Sequence, residues 1–368
     1  MKFPFLTRTA AAAALLGAVS LPAPALADAV SDLLNTYNVI VFGDLTSYSQ
    51  HVDGNALVGG NVSGGVYGMH YPNIPAAPAL TVGGNLLGSV TVQGPGLYVG
   101  GNLATSNLNI NSGGDVHVGG NVNSSFNLNG AGNLYVSQNV TGGANVTVNN
   151  GSAYIGGAKL GNVNANGGGT VTVGSPLPAA TMPDIAGQVA AAQSTLTTYS
   201  SQLAALDADS SVTQNGGKLT FAATAGADGV AVFNGAGSLL SAANEFAFSL
   251  GDAVSVVINV TGTIIDIAAN FLNGSALSLA SNTIWNFTEA TDLDIERQWG
   301  GSILAVYANL TNGNNIEGSV VAAALSQRGE IHYNGPATFV ATTPLPAALP
   351  LFGLALVAFG GFRLRRRA

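Results

Sequence analysis

Short segments of alternating apolar and polar residues recur along the first half of the chain, each leading into the same polar corner. Ala56-Leu-Val-Gly-Gly-Asn-Val62, Leu80-Thr-Val-Gly-Gly-Asn-Leu86, Leu97-Tyr-Val-Gly-Gly-Asn-Leu103 and Val116-His-Val-Gly-Gly-Asn-Val122 are copies of one unit. Leu134-Tyr-Val-Ser-Gln-Asn-Val140 and Ala153-Tyr-Ile-Gly-Gly-Ala-Lys159 are decayed copies. Asn61, Asn85, Asn102, Asn121 and Asn139 are 24, 17, 19 and 18 residues apart. Each period holds a second alternating segment, such as Ser89-Val-Thr-Val-Gln93, Asn107-Leu-Asn-Ile-Asn111 or Asn145-Val-Thr-Val-Asn149. Alternation puts Val and Leu on one face of a strand and Thr or Asn on the other. Gly-Gly and Asn-Gly corners tolerate positive φ. A unit this small cannot bury its apolar face alone, so coils stacked at about 4.8 Å are predicted in preference to a flat meander.

The pattern changes after Thr181. Ile185, Val189, Ala192, Leu196, Tyr199, Leu203 and Leu206 are spaced 4, 3, 4, 3, 4 and 3, a narrow apolar stripe on a helix of about 183–207. Pro183 suits the first turn and Asp184 offsets the positive helix end. A helix of ~36 Å matches seven or eight coils and is expected to lie along the solenoid wall. Alternation returns at Val230–Phe233, Glu245–Leu250, Val254–Val260, Thr263–Phe271, Thr283–Phe287, Gly301–Asn309 and Gly318–Leu325. These segments are more apolar, as expected of coils that also bury their outer face beneath the helix. The predicted fold is mainly β: a β-solenoid of short two- to three-stranded coils with one long α-helix packed along its side, one domain over 28–340.

Composition narrows the chemistry. Of 368 residues, 47% are apolar and only 8% charged, with fifty glycines, so the surface must consist mostly of Asn, Ser, Thr and backbone. The absence of Cys excludes disulfides, thiolate metal sites and cysteine nucleophiles. The two ends read as addresses. Lys2 and Arg8, the apolar run Ala10 to Val19 and Ala25-Leu26-Ala27 before Asp28 form a secretory signal over 1–27, with cleavage between Ala27 and Asp28. At the other end Pro344-Leu345-Pro346-Ala347 opens an apolar run to Phe362, followed by Arg363, Arg365, Arg366 and Arg367. Sixteen helical residues reach ~24 Å against ~30 Å of hydrocarbon, a marginal stop-transfer segment over 341–368 with its arginines kept inside. Without both ends, Lys159, Lys218, Arg297 and Arg328 face eighteen acidic residues, a net charge of −14 that excludes nucleic acid as a partner.

His51 and Asp53, with Asp44 nearby, are a candidate metal or acid–base cluster. A polar outward strand face is the preferred reading, because His70, His117 and His332 occupy other segments. Gly113-Gly-Asp-Val-His-Val-Gly-Gly-Asn121 has one Asp in the wrong order for calcium coils. Asp292, Asp294, Glu296 and Arg297 read as a solvated strand edge. Paired carboxylates and nucleophile elbows are missing, so an enzyme is not expected, nor any catalytic, cofactor-binding or metal-binding residue or cofactor.

The C-terminal Pro-Leu-Pro-Ala segment with its arginine tail resembles the PEP-CTERM sorting signals of Gram-negative bacteria, with Thr343 where Val is usual and no Glu between the prolines. That resemblance implies recognition by an exosortase-type sorting enzyme and transient membrane insertion. Tyr37-Asn-Val-Ile-Val-Phe-Gly-Asp44, Asp53-Gly-Asn-Ala-Leu-Val-Gly-Gly-Asn61, Thr283-Ile-Trp-Asn-Phe-Thr-Glu-Ala290, Trp299-Gly-Gly-Ser-Ile-Leu-Ala305, Ile316-Glu-Gly-Ser-Val-Val-Ala322 and Gly329-Glu-Ile-His332 together resemble the choice-of-anchor A family over about 35–335. The resemblance implies an adhesive extracellular domain with no family catalytic or ligand residues to carry over. The order strands, helix, strands is similar to the bacterial ice-binding adhesin-like fold. The expected function is a non-catalytic, exported protein of the cell surface or extracellular matrix, delivered through inner membrane and periplasm. It would present an Asn/Thr/Ser-rich face to extracellular polysaccharide or a cell-surface ligand. The alternatives are a polysaccharide-cleaving β-helix enzyme and an ice-binding protein.

Overall fold

A computed structural model describes residues 23–177 and 181–334; the segment expected to be a sorting signal, Pro344–Ala347 with its apolar run and Arg363–Arg367, lies outside the described residues. The described chain forms a solenoid of parallel strands in one continuous sheet, with a separate four-stranded sheet at one end. A coil has three walls. In the first coil Tyr37–Val41, Leu45–Ser47 and His51–Val52 each lie in a different wall. The repeated motifs stack in the first wall as Asn55–Val58, Leu80–Val82, Leu97–Val99, Val116–Val118, Leu134–Val136, Ala153–Ile155 and Val171–Val173. Their register matches every Val, Leu or Ile with its counterpart one coil away, so the inward residues form continuous apolar ranks.

The chain does not continue this stack past Val173. It returns along the outside and begins a second stack at the opposite end, from Val230–Ala236 through Ser255–Thr261, Thr283–Phe287 and Ser302–Asn312 to Val320–Gln327. The last of these pairs with Tyr37–Val41, whose other edge holds Asn55–Val58. The first coil is therefore sandwiched between the two stacks, and the solenoid is continuous in space but not in sequence.

The returning element is α2, Ile185–Ala204. Asp184 caps it, accepting from the Gly187 N–H at 2.9 Å. The predicted stripe is its buried face: Ile185, Val189, Ala192, Leu196, Tyr199 and Leu203 pack on the outward Leu57, Ile40, Val321, Leu304, Ile284, Val257 and Val232. Those seven residues lie on seven successive strands of the first wall, about 29 Å of strand spacing, which a twenty-residue helix spans. Asn234, Asn259 and Asn286 pin its end. Their amides donate to the carbonyls of Leu206 (3.4 Å), Leu203 (2.7 Å) and Ser200 (2.9 Å), turn by turn.

Four expectations need correction. The solenoid carries a second long helix, α1 (Ala23–Thr36), because Leu26, Val30 and Leu34 repeat every four residues and are buried in the same layer as α2. It runs across the predicted cut between Ala27 and Asp28. Glu245–Ser249 and Asn270–Phe271 do not join the walls; with Ser211–Asn215 and Lys218–Ala222 they form the small sheet, whose Phe221, Phe246 and Phe271 pack on Trp285 and Trp299. Asp292–Ile295 is no edge: strands pair on both sides of it, and only its outward Asp292 and Asp294 meet solvent. The Gly-Gly corners do not use positive φ, which the backbone adopts elsewhere. They are glycine because a Cβ on Gly83, Gly100 or Gly119 would stand 2.3, 2.5 or 2.2 Å from the carbonyl oxygen of the preceding corner.

Candidate functional site

Behind each Gly-Gly pair the repeated asparagine builds a ladder. Asn85 donates its backbone N–H (2.8 Å) and its Nδ2 (3.0 Å) to Asn61 Oδ1, and Asn102, Asn121 and Asn139 repeat the arrangement coil by coil. Asp44 starts the ladder, accepting from the Asn61 N–H at 2.7 Å, and Ala158, with no amide to continue it, ends it. Asp115 starts a second ladder through Asn133, Ser152 and Thr170 in the same way. Asp44 and Asp115 thus act as acceptors that open the two ladders, and Asp44 does not join His51.

The third wall of the N-terminal coils carries the amide-rich surface expected from the sequence. Thr91, Asn109, Asn127, Thr147 and Asn164 stand in one outward rank across five coils. Beside it a shallow groove of about 270 Å³ is lined by Asn107, Asn109, Ser125, Asn127, Asn129 and Asn145, with Phe126 and Leu108 at its floor. Several of these amides bond to one another, as Asn149 Nδ2 to Asn129 Oδ1 at 3.1 Å and Asn162 Nδ2 to Asn145 Oδ1 at 3.0 Å. The side chains of Asn107 and Asn127 make no hydrogen bond among the described residues, so their donors and acceptors face outward unused.

The titratable groups gather elsewhere, at the seam. Val52 pairs with Ile331, which pairs with Ile316, all three pointing inward. The neighbours of these apolar residues then meet outside the barrel: His51, Asp53, Glu317, Glu330 and His332. His51 Nε2 lies 3.3 Å from Asp53 Oδ1 and Nδ1 lies 3.3 Å from Glu330 Oε1. His332 Nδ1 is 3.0 Å from Glu317 Oε2 and Nε2 is 3.0 Å from Glu330 Oε2. His70, on the turn after Val62–Tyr67, brings Nε2 to 3.3 Å from Asp53 Oδ2. Burial alone would push the His332 pKa down, but hydrogen bonds to Glu330 and Glu317 and the charges of Glu317 and Asp53 hold it above its ordinary value.

The reading of His51 and Asp53 as an isolated outward face is therefore corrected, since His70 and His332 do converge on them. Sequence reasoning missed His70, Glu317, Glu330 and His332. The available signal was the matched pair His51-Val-Asp53 and Glu330-Ile-His332, two polar residues flanking one apolar residue, which become neighbours once the two stacks meet. Asp292, Asp294, Glu296 and Arg297 stay apart from this cluster. Burial and the charges of Asp266 and Glu296 raise the Asp294 pKa, with Arg328 opposing. Among the described residues no helix is long and apolar enough to cross a membrane.

No curated protein matches the sequence. A solved structure, the crystal structure of an ice binding protein from an Antarctic bacterium Flavobacteriaceae, is similar over 84% of this chain and 99% of that one, with 13% identity and a TM-score of 0.26. A family profile described as "Putative Ice-binding-like adhesive domain" matches residues 30–135 and 98–333, and since these matches span nearly the whole described solenoid, the chain belongs to that family.

Proposed function

We propose that the protein is an exported, non-catalytic adhesive solenoid that binds extracellular polysaccharide through the third wall of its N-terminal coils. The groove beside Asn107 and Asn127 carries this reading. Neutral amides both donate and accept, as sugar hydroxyls do, and ranks repeating at about 4.8 Å offer many weak contacts along a polymer. Phe126 at the floor supplies apolar surface. Binding of the purified chain to a panel of polysaccharides tests the proposal: retention that falls at least tenfold in Asn107→Ala/Asn127→Ala supports it, and no retention on any member sinks it. New reducing ends or unsaturated products would move the assignment to a polysaccharide-cleaving enzyme.

The family description favours a second reading, binding to ice, and the same outward rank on a regular sheet suits an ordered water lattice. Its composition, Thr91, Asn109, Asn127, Thr147 and Asn164, is mixed, and Thr170-Val-Thr172 belongs to the first wall and not to this rank. Thermal hysteresis at micromolar protein, abolished by Thr147→Tyr, would establish ice as the ligand.

Delivery is proposed to follow the choice-of-anchor A and PEP-CTERM resemblances: export, then release by an exosortase-type enzyme at the cell surface of a Gram-negative bacterium. Mass spectrometry of material from the native host checks this. A product cut near Pro346-Ala347 supports it, and one ending at Ala368 means permanent anchoring.

A further inference from the structure

At the seam two imidazoles are each backed by a buried carboxylate and aimed at a third. Asp53 and Glu317 are 1% and 3% exposed. Glu317 meets donors on several sides, with Gln298 Nε2 at 3.0 Å and Asn334 Nδ2 at 3.4 Å besides His332 Nδ1. Asp53 Oδ2 accepts the Tyr333 N–H at 3.1 Å and faces His70, while its buried Oδ1 makes no hydrogen bond of normal geometry and points at His51 Nε2. These carboxylates place the imidazole protons on His51 Nε2 and His332 Nδ1. The opposite nitrogens, His51 Nδ1 and His332 Nε2, face the Glu330 carboxylate and, in the neutral rings, are the ones free to ligate. A cation bound there would take the place of the His332–Glu330 hydrogen bond and draw on the same three groups.

From this geometry we infer that His51, Glu330 and His332 bind a borderline divalent transition cation of the Zn²⁺ class, bridging the first coil to the last. The three residues offer ligand atoms within 4.8 Å of one another. Zn–N and Zn–O bonds of about 2.0–2.1 Å at tetrahedral angles separate neighbouring ligand atoms by about 3.3 Å. Glu330 meets the two nitrogens through different oxygens, Oε1 at 3.3 Å from His51 Nδ1 and Oε2 at 3.0 Å from His332 Nε2, so a bound ion needs the two rings to close on the carboxylate between them. Two imidazoles and one carboxylate select Zn²⁺ or its neighbours over Ca²⁺ and Mg²⁺, which take oxygen ligands. Asp53 and Glu317 supply the carboxylate behind each ligating histidine that orients such rings. With Glu330 36% exposed, a fourth position opens to solvent. The cation would close the junction between strands about 280 residues apart in sequence, the separation of Asp53 from Tyr333.

The purified chain, stripped with a chelator, is expected to bind one Zn²⁺ by calorimetry and to melt at a temperature that rises with Zn²⁺ concentration but not with Ca²⁺. Co²⁺ in its place should give the visible absorption of a four-coordinate site with nitrogen ligands. Glu330→Gln, at a half-exposed position, should lower Zn²⁺ affinity by about 100-fold, and Glu317→Gln by about 10-fold. The inference is overturned if the wild-type chain shows no binding heat, melting shift or Co²⁺ absorption up to about 1 mM metal. It is equally overturned if Glu330→Gln binds Zn²⁺ as tightly, or if the Co²⁺ spectrum of the wild-type chain is that of an ion with oxygen ligands only, a result that depends on no variant.

Discussion

In the N-terminal stack corresponding asparagines are 17 to 24 residues apart, while in the first coils of the C-terminal stack they are 25 and 27 apart. The short coils are filled mostly by Val, Leu and Ile; the long ones enclose Phe233, Trp285, Phe287 and Trp299. Both stacks use asparagine ladders in which each Nδ2 donates to the Oδ1 one coil earlier in the chain, but to different ends. The N-terminal ladder joins coil to coil at a solvent-facing corner and leaves the first wall beyond Leu57 to outward Tyr98, His117, Tyr135 and Tyr154, whose ring centroids lie 4.6–5.2 Å apart, Tyr98 edge-on to His117 and the other pairs stacked. The C-terminal ladder is buried and turned outward to hold a helix. A sheet with one polar surface can be specified by a short repeat. A sheet buried on both surfaces requires a partner, and its sequence is shaped by that partner more than by its own period.

The comparison makes α2 the element on which the C-terminal stack depends. Leu196→Asp puts an unpaired charge at a fully buried position of the stripe and should cost about 4 kcal/mol or more. Hydrogen exchange should show Ser255–Thr261 and Thr283–Phe287 losing protection while Leu97–Val99 and Val116–Val118 keep theirs; equal loss in both stacks would mean that the two halves melt as one unit. The N-terminal stack should fail instead at its corners. Gly119→Ala drives a Cβ against the Gly100 carbonyl and is expected to destabilise by about 3 kcal/mol, measured by denaturant unfolding. A loss below about 1 kcal/mol would show that the coils can part at little cost.

Matched ladder deletions sharpen the contrast. Asn286 is fully buried, and Asn286→Ala strands the Ser200 carbonyl and Asn259 Oδ1, at about 2–3 kcal/mol. Asn102→Ala opens a ladder that water can reach and should cost about 1 kcal/mol. Equal values would remove the distinction between buried and exposed ladders. The smallest effect concerns His117, whose pKa burial lowers below its ordinary value, with the Asp115 charge and the Thr181 backbone opposing. A lowered folded-state pKa means that the unfolded chain binds the proton first, so stability should fall as pH drops below about 6.5. Subtracting the His117→Phe profile from that of the wild type isolates the residue: the difference should rise with pH up to about 6.5, and one that falls as pH rises would reverse the sign.

The repeat units, the corners and the helix stripe were legible because each is a local pattern. Leu80-Thr-Val alternates over three residues and Ile185 to Leu203 over five turns, and neither needs knowledge of what it packs against. Glu245–Ser249 looked like another coil for the same reason: alternation reports one buried face, not which sheet the strand joins. α1 was not predicted because its stripe, Leu26, Val30 and Leu34, is only three residues long, and its burial depends on contact with α2. The amide-rich wall was visible as Asn-x-Asn alternation, but the seam cluster was not.

The sequence by itself determined that coils would stack, which residues would face the interior and where a helix would lie, since burying an apolar stripe is a short-range demand with a fixed period. Only the tertiary structure decided that the chain reverses its stacking order through α2, inserting the first coil between two stacks. That choice sets Val52 beside Ile331 and so brings His51, Asp53 and His70 to Glu317, Glu330 and His332. No periodicity encodes it, because the pairing of first and last coils depends on which edges remain open once both stacks have formed, and parallel edges of equal geometry look the same in sequence.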